Sequence, residues 1–133
     1  MKKRVFLSGP MRGIPRDQSL AWRTLATSYL IQEFDVLHAL RQREEKETFT
    51  DPRAAVIRDL SDIASSHILL VNDTQEGASM IGTAMEVFYA HGQHKPVIIF
   101  GHAHEKDYWL NYHSHLRLET LEEACEVLKK MFT

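Results

Sequence analysis

The sequence predicts an α/β fold in which a parallel sheet of four or five strands is covered by helices on both faces. Short β-branched and leucine-rich runs alternate with helical segments, a pattern typical of parallel sheets. Residues 68–71 are apolar at every position, as expected of a strand buried on both faces. The 133 residues suffice for one hydrophobic core and leave no room for a second. We therefore expect residues 1–133 to form a single domain.

Strand and helix signals follow one another along the chain. The segments with strand composition are residues 4–8, 35–40, 67–72, 96–100 and a short one at 116–118. The segments with helical signals are residues 17–33, 51–65, a segment that carries Glu86 and runs to residue 92, and 120–131. The first helix places Leu20, Leu25 and Leu30 on one helical period. Residues 41–50 are charged and aperiodic, so they predict a mobile loop.

Each predicted helix has a signal at its start. Asp17 is placed to cap the first helix, and Pro52 suits the first position of the second. Gly82 predicts a glycine turn into the third helix. Thr120 and Glu123 have the spacing of a capping box at the start of the last helix.

Composition and charge exclude several functions. The net charge of −2 lacks the basic footprint of a nucleic-acid-binding protein, although a small anionic ligand needs only a local cluster of donors. Cys125 is the single cysteine, so no intrachain disulfide is expected and a reducing compartment is indicated. The apolar run at residues 5–7 is too short for a signal peptide, and no segment approaches membrane-spanning length. We expect a cytoplasmic protein without a membrane or nucleic-acid partner.

Glu86 is the most informative residue. Its helix follows the strand at 68–71, and open α/β sheets bind ligands beyond the carboxyl ends of their strands. Most of its neighbours in residues 82–90 are apolar or aromatic, an unusual setting for a carboxylate. Either Glu86 lies on an exposed helix face, where glutamate is a good helix former, or it lines a functional pocket.

A second candidate segment is the loop Ser8-Gly9-Pro10-Met11-Arg12-Gly13, which joins the first strand to the first helix. Its glycines let backbone N–H groups approach an oxygen-rich ligand, and the guanidinium of Arg12 suits phosphate. The loop has neither the Walker A pattern nor the dinucleotide-binding glycine pattern. Its other interpretation is a tight turn with Arg12 on the surface.

Other candidates are weaker when taken alone. Asp59 could reach the pocket from the second helix, or it could form a solvated pair with Arg58. The histidine pairs His102/His104 and His113/His115 are accompanied by no HExxH motif and no cysteine cluster, so no metal site is predicted. The aromatic residues Tyr108, Trp109 and Tyr112 could form a lid, a subunit contact or a satellite hydrophobic cluster.

Taken together, these motifs resemble the nucleoside 2-deoxyribosyltransferase family and the related 2'-deoxynucleoside 5'-phosphate N-hydrolases. The sequence Gly-Thr-Ala-Met-Glu at 82–86 is similar to the family's Gly-Thr-x-x-Glu signature, in which the glutamate is the nucleophile. Arg-Asp-Leu at 58–60 resembles the pair whose aspartate holds and protonates the base. The loop at 8–13 is similar to the phosphate-handling loop of the hydrolases. The resemblance covers residues 5–101 and implies a Rossmann-like or flavodoxin-like three-layer fold.

The chain also departs from the family pattern. The transferases carry an aspartate six residues before the nucleophile, where this chain has Met80; the hydrolases place a phosphate-binding serine there, and Ser79 is one residue away. Asn111 is the candidate for the asparagine that transferases contribute to a neighbouring subunit's site. These departures leave the choice between transferase and hydrolase open.

The resemblance implies retaining glycosyl transfer with Glu86 as nucleophile and Asp59 as the acid that assists base departure. The implied substrate-binding residues are Ser8, Gly9, Met11, Arg12, Gly13, Ser79, Met80, Gly82 and Asn111. The partners would be a deoxynucleoside or deoxynucleotide and a nucleobase, with no cofactor and no metal. A homodimer or higher homo-oligomer is expected. The Gly-Thr-x-x-Glu form favours a transferase; the alternatives are a 5'-monophosphate N-glycosidase and a non-catalytic nucleotide-sensing module.

Overall fold

The computed structural model describes residues 1–41 and 49–133, and most of the predicted loop at 41–50 lies outside them. The strands are β1 (Lys3–Ser8), β2 (Phe34–His38), β3 (Ile68–Asn72), β4 (Val97–Phe100) and β5 (Leu116–Leu118). The helices are α1 (Arg16–Leu30), α2 (Arg53–Ser65), α3 (Ile81–Gly92), α4 (Tyr108–Tyr112) and α5 (Leu121–Phe132). Within the described residues, no helix is both long enough and apolar enough to cross a membrane.

The five strands form one parallel sheet in the order β2-β1-β3-β4-β5. This is the flavodoxin-like order, and its topological switch point lies between β1 and β3. Ser8 at the end of β1 pairs with Val71 near the end of β3, so the loops that follow these two strands open onto the same sheet edge. The predicted α/β class and the parallel sheet are confirmed, with five strands.

Helices cover the sheet on both faces and make the predicted three layers. Val5 and Leu7 of β1 point to the face covered by α1 and α5, in one buried cluster with Leu30 and Leu128. Phe6, between them, points to the opposite face covered by α2, α3 and α4. This alternation is the period of a strand with two buried faces.

The buried face of α1 differs from the one predicted. Leu25 is 45% exposed, and the buried residues of the helix are Ser19, Arg23, Ala26 and Leu30. Their spacing of four, three and four residues is a regular helical stripe. The helix therefore buries Leu30 but leaves Leu25 exposed, and it carries an arginine into the interior.

The starts of α1 and α4 were also not as predicted. Pro15 occupies the N-cap of α1, and Asp17 lies in the first turn, where an acid still complements the helix dipole. Helix α4 falls in a segment to which the sequence assigned neither a helix nor a strand. Asp107 caps it by accepting a hydrogen bond from the Leu110 N–H, and Leu110 is the buried residue of this short helix.

Three further helix starts can be compared with the sequence. The Thr120 hydroxyl accepts a hydrogen bond from the Glu123 N–H at 3.1 Å, which confirms the predicted cap of α5. Pro52 is the N-cap of α2 rather than its first helical residue. Gly82 is the second residue of α3, so the predicted glycine turn into this helix is wrong.

Candidate active site

A cavity of about 610 Å³ opens at the sheet edge beyond β1 and β3. It lies between the loop after β1, one face of α2 and the start of α3. Seven residues that the sequence singled out line it: Gly9, Met11, Arg12, Asp59, Ser79, Gly82 and Glu86. Its size is within the range of small-molecule sites, and its position is where doubly wound sheets bind ligands.

Glu86 contacts the end of β1 through Ser8. The Ser8 hydroxyl donates a hydrogen bond to Oε1 of Glu86 at 2.5 Å, and Ser8 itself is buried. Glu86 is partly buried in the wall of the cavity, in the second turn of α3. Glu86 therefore lines a cavity and does not lie on an exposed helix face.

The surroundings of Glu86 favour its protonated form. Burial is the largest cause and raises the pKa of Glu86 from 4.5 to about 7. The negative charge of Asp59 raises this pKa further, whereas the Ser8 hydrogen bond and the positive charge of Arg23 lower it. The Glu86 carboxyl group therefore titrates near neutral pH.

Asp59 faces the same cavity from α2. The neighbouring Arg58 guanidinium lies 4.0 Å from the carboxylate of Asp62 and donates a hydrogen bond to the Arg41 carbonyl. Asp62 also pairs with Arg41 at 2.6 Å. Asp62 therefore contacts both Arg41 and Arg58, whereas Asp59 shares the lining of the cavity with Glu86.

The loop after β1 comes close to the rest of the fold at Gly9. A Cβ atom at Gly9 would lie 2.9 Å from Cζ2 of Trp22 and 3.2 Å from Cβ of Asn72. Only glycine lets the backbone pass this close. Further along the loop, Met11 and Arg12 line the cavity with exposed side chains, so the guanidinium of Arg12 is available to a ligand.

Helix α3 begins at the cavity without a side-chain cap. Its N-cap residue is Met80, which packs against the core, while Ser79 lines the cavity. Of this pair, Ser79 is therefore the residue that can contact a ligand. An uncapped helix start directs N–H groups and a partial positive charge toward negatively charged ligands.

Gly13 and Asn111 lie outside the cavity wall. Gly13 is exposed, and its φ of 79° fits a turn residue. Asn111 is exposed on α4, where its amide donates to the Glu105 carbonyl at 2.7 Å and accepts from Arg117 at 3.3 Å. Within its own chain, Asn111 does not reach the cavity.

The histidine pairs are engaged by protein groups. His102 contacts Glu105 and Glu119, and the His104 ring contacts the buried carboxylate of Asp73 at 2.7 Å. Among the residues that the structure describes, no group of three or more histidine, cysteine or acidic side chains could hold a metal ion.

A surface of exposed apolar side chains lies beside the cavity. It consists of Met85 and Phe88 of α3 with Tyr108, Trp109 and Tyr112 of α4, and is called the α3/α4 patch below. A second cavity of about 310 Å³ indents it beside Trp109 and Leu110. Met85 lines both cavities, so the patch reaches the rim of the candidate active site.

Together, fold and cavity define an α/β protein with a paired-carboxylate pocket at the switch point of a flavodoxin-like sheet. No protein-family model and no curated protein matches the sequence. The fold is similar to a 2-deoxyribosyltransferase from Bacillus psychrosaccharolyticus, with a TM-score of 0.70 and 18% identity over 90% of this chain and 88% of that one. It is also similar to a 2-desoxiribosyltransferase from Leishmania mexicana, with a TM-score of 0.73 and 13% identity over 96% of this chain and 97% of that one.

A third similar structure is a CMP N-glycosidase from Clostridium botulinum. It has a TM-score of 0.63 and 19% identity over 96% of this chain and 99% of that one. These likenesses extend over nearly the whole chain and show that the flavodoxin-like fold is shared.

Sequence reasoning missed one charged residue near the site. Arg23 of α1 is only 1% exposed and donates a hydrogen bond to the Gly9 carbonyl. The available signal was its place in the stripe with Ser19, Ala26 and Leu30, four or three residues apart. The apolar pattern alone favours the helix face with Leu20 and Leu25, because that face is more hydrophobic than the one with Arg23.

Proposed function

We propose that this protein is an enzyme of the nucleoside 2-deoxyribosyltransferase type, which cleaves the N-glycosidic bond of a 2'-deoxynucleoside or its 5'-monophosphate. The observation that carries the proposal is the Glu86 carboxylate, held by Ser8 at 2.5 Å in a cavity that Asp59 also lines. The sequence signature at 82–86 and the similar folds of two deoxyribosyltransferases and an N-glycosidase support it.

In the first step, ionised Glu86 attacks C1' of the sugar on the face opposite the base. The bond from C1' to the base nitrogen breaks through an oxocarbenium-like transition state, and a glycosyl ester forms on Glu86. The Ser8 hydroxyl occupies Oε1, so Oε2 is the oxygen available to attack. A 2'-deoxy sugar suits this step, because an electron-withdrawing 2'-hydroxyl would destabilise the developing cation.

Asp59 assists the departure of the base as a general acid. Its protonated carboxyl group donates a proton or a hydrogen bond as negative charge builds on the base nitrogen. A second nucleobase or water then attacks C1' of the ester, Asp59 accepts the proton, and the Glu86 carboxylate leaves. Two displacements at C1' return the original configuration.

The acceptor distinguishes the two catalytic candidates. The first candidate is transfer to a second base, which the Gly-Thr-x-x-Glu signature favours. Hydrolysis of a 5'-monophosphate is the second candidate, favoured by three features at the cavity: the exposed guanidinium of Arg12, Ser79, and the start of α3 without a side-chain cap. These groups together suit a phosphate dianion.

Substrate assays test the proposal. A deoxynucleoside and its monophosphate are each incubated with and without an acceptor base, and the products are separated by chromatography. Exchanged nucleoside supports a transferase, and free sugar or sugar phosphate supports a hydrolase. Glu86→Gln must abolish base release from either substrate while ligand binding is retained. A nucleotide-sensing module would instead bind ligand and release no base, with or without Glu86.

Self-association is proposed through the α3/α4 patch. Its exposed aromatic residues are of the kind that enrich protein interfaces, and Met85 lies at the cavity rim, so a second copy seated on the patch would border the active site. Asn111 lies on α4 among these residues and could then face the partner's cavity.

Light scattering tests this association. Trp109→Glu is expected to give the monomer mass, because it places a charge in the middle of the apolar patch. Leu25→Glu, which alters an exposed leucine on α1, is the matched control and should leave the mass unchanged. A wild-type monomer, or a Trp109→Glu protein of unchanged larger mass, would overturn the proposed surface.

A further inference from the structure

Arg23 is a buried charged group that forms no ion pair with a carboxylate of the residues that the structure describes. Its side chain is 1% exposed, because it lies on the core-facing stripe of α1. None of the ion pairs seen among residues 1–41 and 49–133 includes it. Burial accordingly lowers the pKa of the guanidinium to about 10. Burying an unpaired charge is costly, so its retention in the interior needs a reason.

Three contacts hold the guanidinium in place. Nη1 donates to the Ser19 carbonyl at 2.8 Å, Nη2 donates to the Gly9 carbonyl at 3.0 Å, and the group lies 4.6 Å from the centre of the Trp22 ring. The buried Nε has no hydrogen-bond partner among the described residues. These contacts orient the cation, but the carbonyls and the ring carry no formal charge to neutralise it.

The contact with Gly9 connects Arg23 to the candidate site. Gly9 directly follows Ser8, whose hydroxyl holds Glu86, and the Trp22 ring, over which the guanidinium lies, packs against Gly9. Arg23 and Trp22 therefore determine the path of the chain at the point where β1 passes into the cavity wall. A shift at the Gly9 carbonyl would move the Ser8 hydroxyl away from the carboxylate.

The charge of Arg23 also acts on the acids of the cavity. Glu86 and then Asp59 are the two acids whose negative charges favour the charged form of Arg23. In return, Arg23 favours the ionised form of Glu86. The two effects, loop placement and charge, both converge on the carboxylate assigned as nucleophile.

We propose that Arg23 is a positioning residue of the glycosyl-transfer site: it anchors the Gly9 carbonyl so that Ser8 stays within hydrogen-bonding reach of Glu86. In addition, the buried charge of Arg23 favours the Glu86 carboxylate. The inference rests on the proposed function for its catalytic meaning. An ionised Glu86 is required for attack on C1'. The same charge favours the carboxylate again when it leaves C1' in the second step.

The groups that face Glu86 and Arg23 define the pH window of this effect. Glu86 meets Ser8 from β1, Asp59 from α2 and Arg23 from α1. Arg23 also acts on His38 at the end of β2, where burial, followed by the charge of Arg23, lowers the pKa to about 4. His38 is therefore neutral at pH 5–9, so its charge does not change in that window.

Arg23→Met tests the charge, because methionine fills part of the space and carries none. The readout is the carboxyl carbon resonance of Glu86 followed by NMR against pH, assigned with Glu86→Gln. Without the cation, the Glu86 pKa is expected to rise by about one unit or more. The acid limb of kcat/KM should move to higher pH by the same amount, with at least a tenfold loss of kcat/KM at pH 6.

Two further variants serve as controls. Arg23→Lys keeps the charge but loses the two-pronged geometry, so the Glu86 pKa should rise less than in Arg23→Met while kcat still falls. Arg53→Met removes a cation from the surface of α2, where the Arg53 side chain is 86% exposed, and should change neither quantity. Should Arg23→Met fail to fold, Arg23→Gln replaces it with the same expected shift.

An unchanged Glu86 titration in Arg23→Met, or in its Gln replacement, would overturn the inference. So would a loss of activity in which the acid limb keeps its position, because a purely structural role lowers activity without moving that limb. The NMR titration needs no turnover. If wild-type protein shows no base release but Arg23→Met still shifts the titration, the proposed function fails and the electrostatic role of Arg23 stands.

Discussion

Replacing Glu86 with glutamine should stabilise the protein more strongly as the pH rises. The folded state holds the carboxyl group where burial raises its pKa from 4.5 to about 7. Below pH 4.5 the group is protonated in both the folded and unfolded states, so it contributes no difference. Above pH 7 the folded protein must carry an ionised carboxylate in an unfavourable environment, whereas the unfolded chain carries it in water. Unfolding is therefore favoured as the pH rises through this window.

The magnitude follows from the shift. The rise from 4.5 to about 7 is about 2.5 pKa units, and each unit corresponds to about 1.36 kcal/mol. The destabilisation by ionised Glu86 thus approaches about 3 kcal/mol at high pH, which is a large part of the stability of a typical domain. Glutamine keeps the shape of the side chain and removes the ionisation.

Urea unfolding at pH 5, 6, 7 and 8 measures this directly. The unfolding free energy of Glu86→Gln minus that of the wild type should grow over this range and level off above pH 7. Other titrating groups cancel in the difference between the two proteins. Glu76→Gln, which alters an exposed loop residue, is the control and should give a difference independent of pH. A flat difference for Glu86→Gln, or one that shrinks as the pH rises, would refute the reasoning.

Three further substitutions probe the same site. Ser8→Ala removes a hydrogen bond to a charged group, which contributes about 1.5–3 kcal/mol, and should therefore raise the Glu86 pKa by about one to two units. The acid limb of kcat/KM should move to higher pH by the same amount. Gly9→Ala places a methyl group 2.9 Å from the Trp22 ring and should lower the unfolding free energy by about 1–3 kcal/mol, measured with urea. Asp59→Asn should slow base release by a factor of about 10²–10⁴ in single turnovers while binding persists, and unchanged release would remove Asp59 from the mechanism.

The strands and the main site were predictable because they depend on local patterns. Buried strands such as β3 are apolar over most of their length, here residues 68–71, and the helix that follows such a strand starts near the sheet edge, which places Glu86 there. The loop at 8–13 and Asp59 were identified by residue type and family motif. The cavity now brings Gly9, Arg12 and Asp59 together with Glu86.

The remainder depends on contacts between distant segments. Leu25 looks like a core residue by period alone, yet the packing of α1 buries Arg23 instead, because the guanidinium finds acceptors in the loop after β1. Ser79 rather than Met80 lines the cavity because of the residue at which α3 begins. A shift of that start by one residue would exchange the positions of the two side chains. Such choices become visible only when the chain is folded.

Trapping the covalent intermediate tests the central claim most directly. Wild-type protein is mixed with a deoxynucleoside, or its monophosphate, and quenched in acid within the first turnover, and its peptides are analysed by mass spectrometry. The account predicts that the peptide containing Glu86 gains the mass of one deoxyribosyl group, or of its phosphate, and that fragmentation assigns the gain to Glu86. Glu86→Gln should show no such gain. A sugar carried on another residue, or base release that continues in Glu86→Gln, would contradict it.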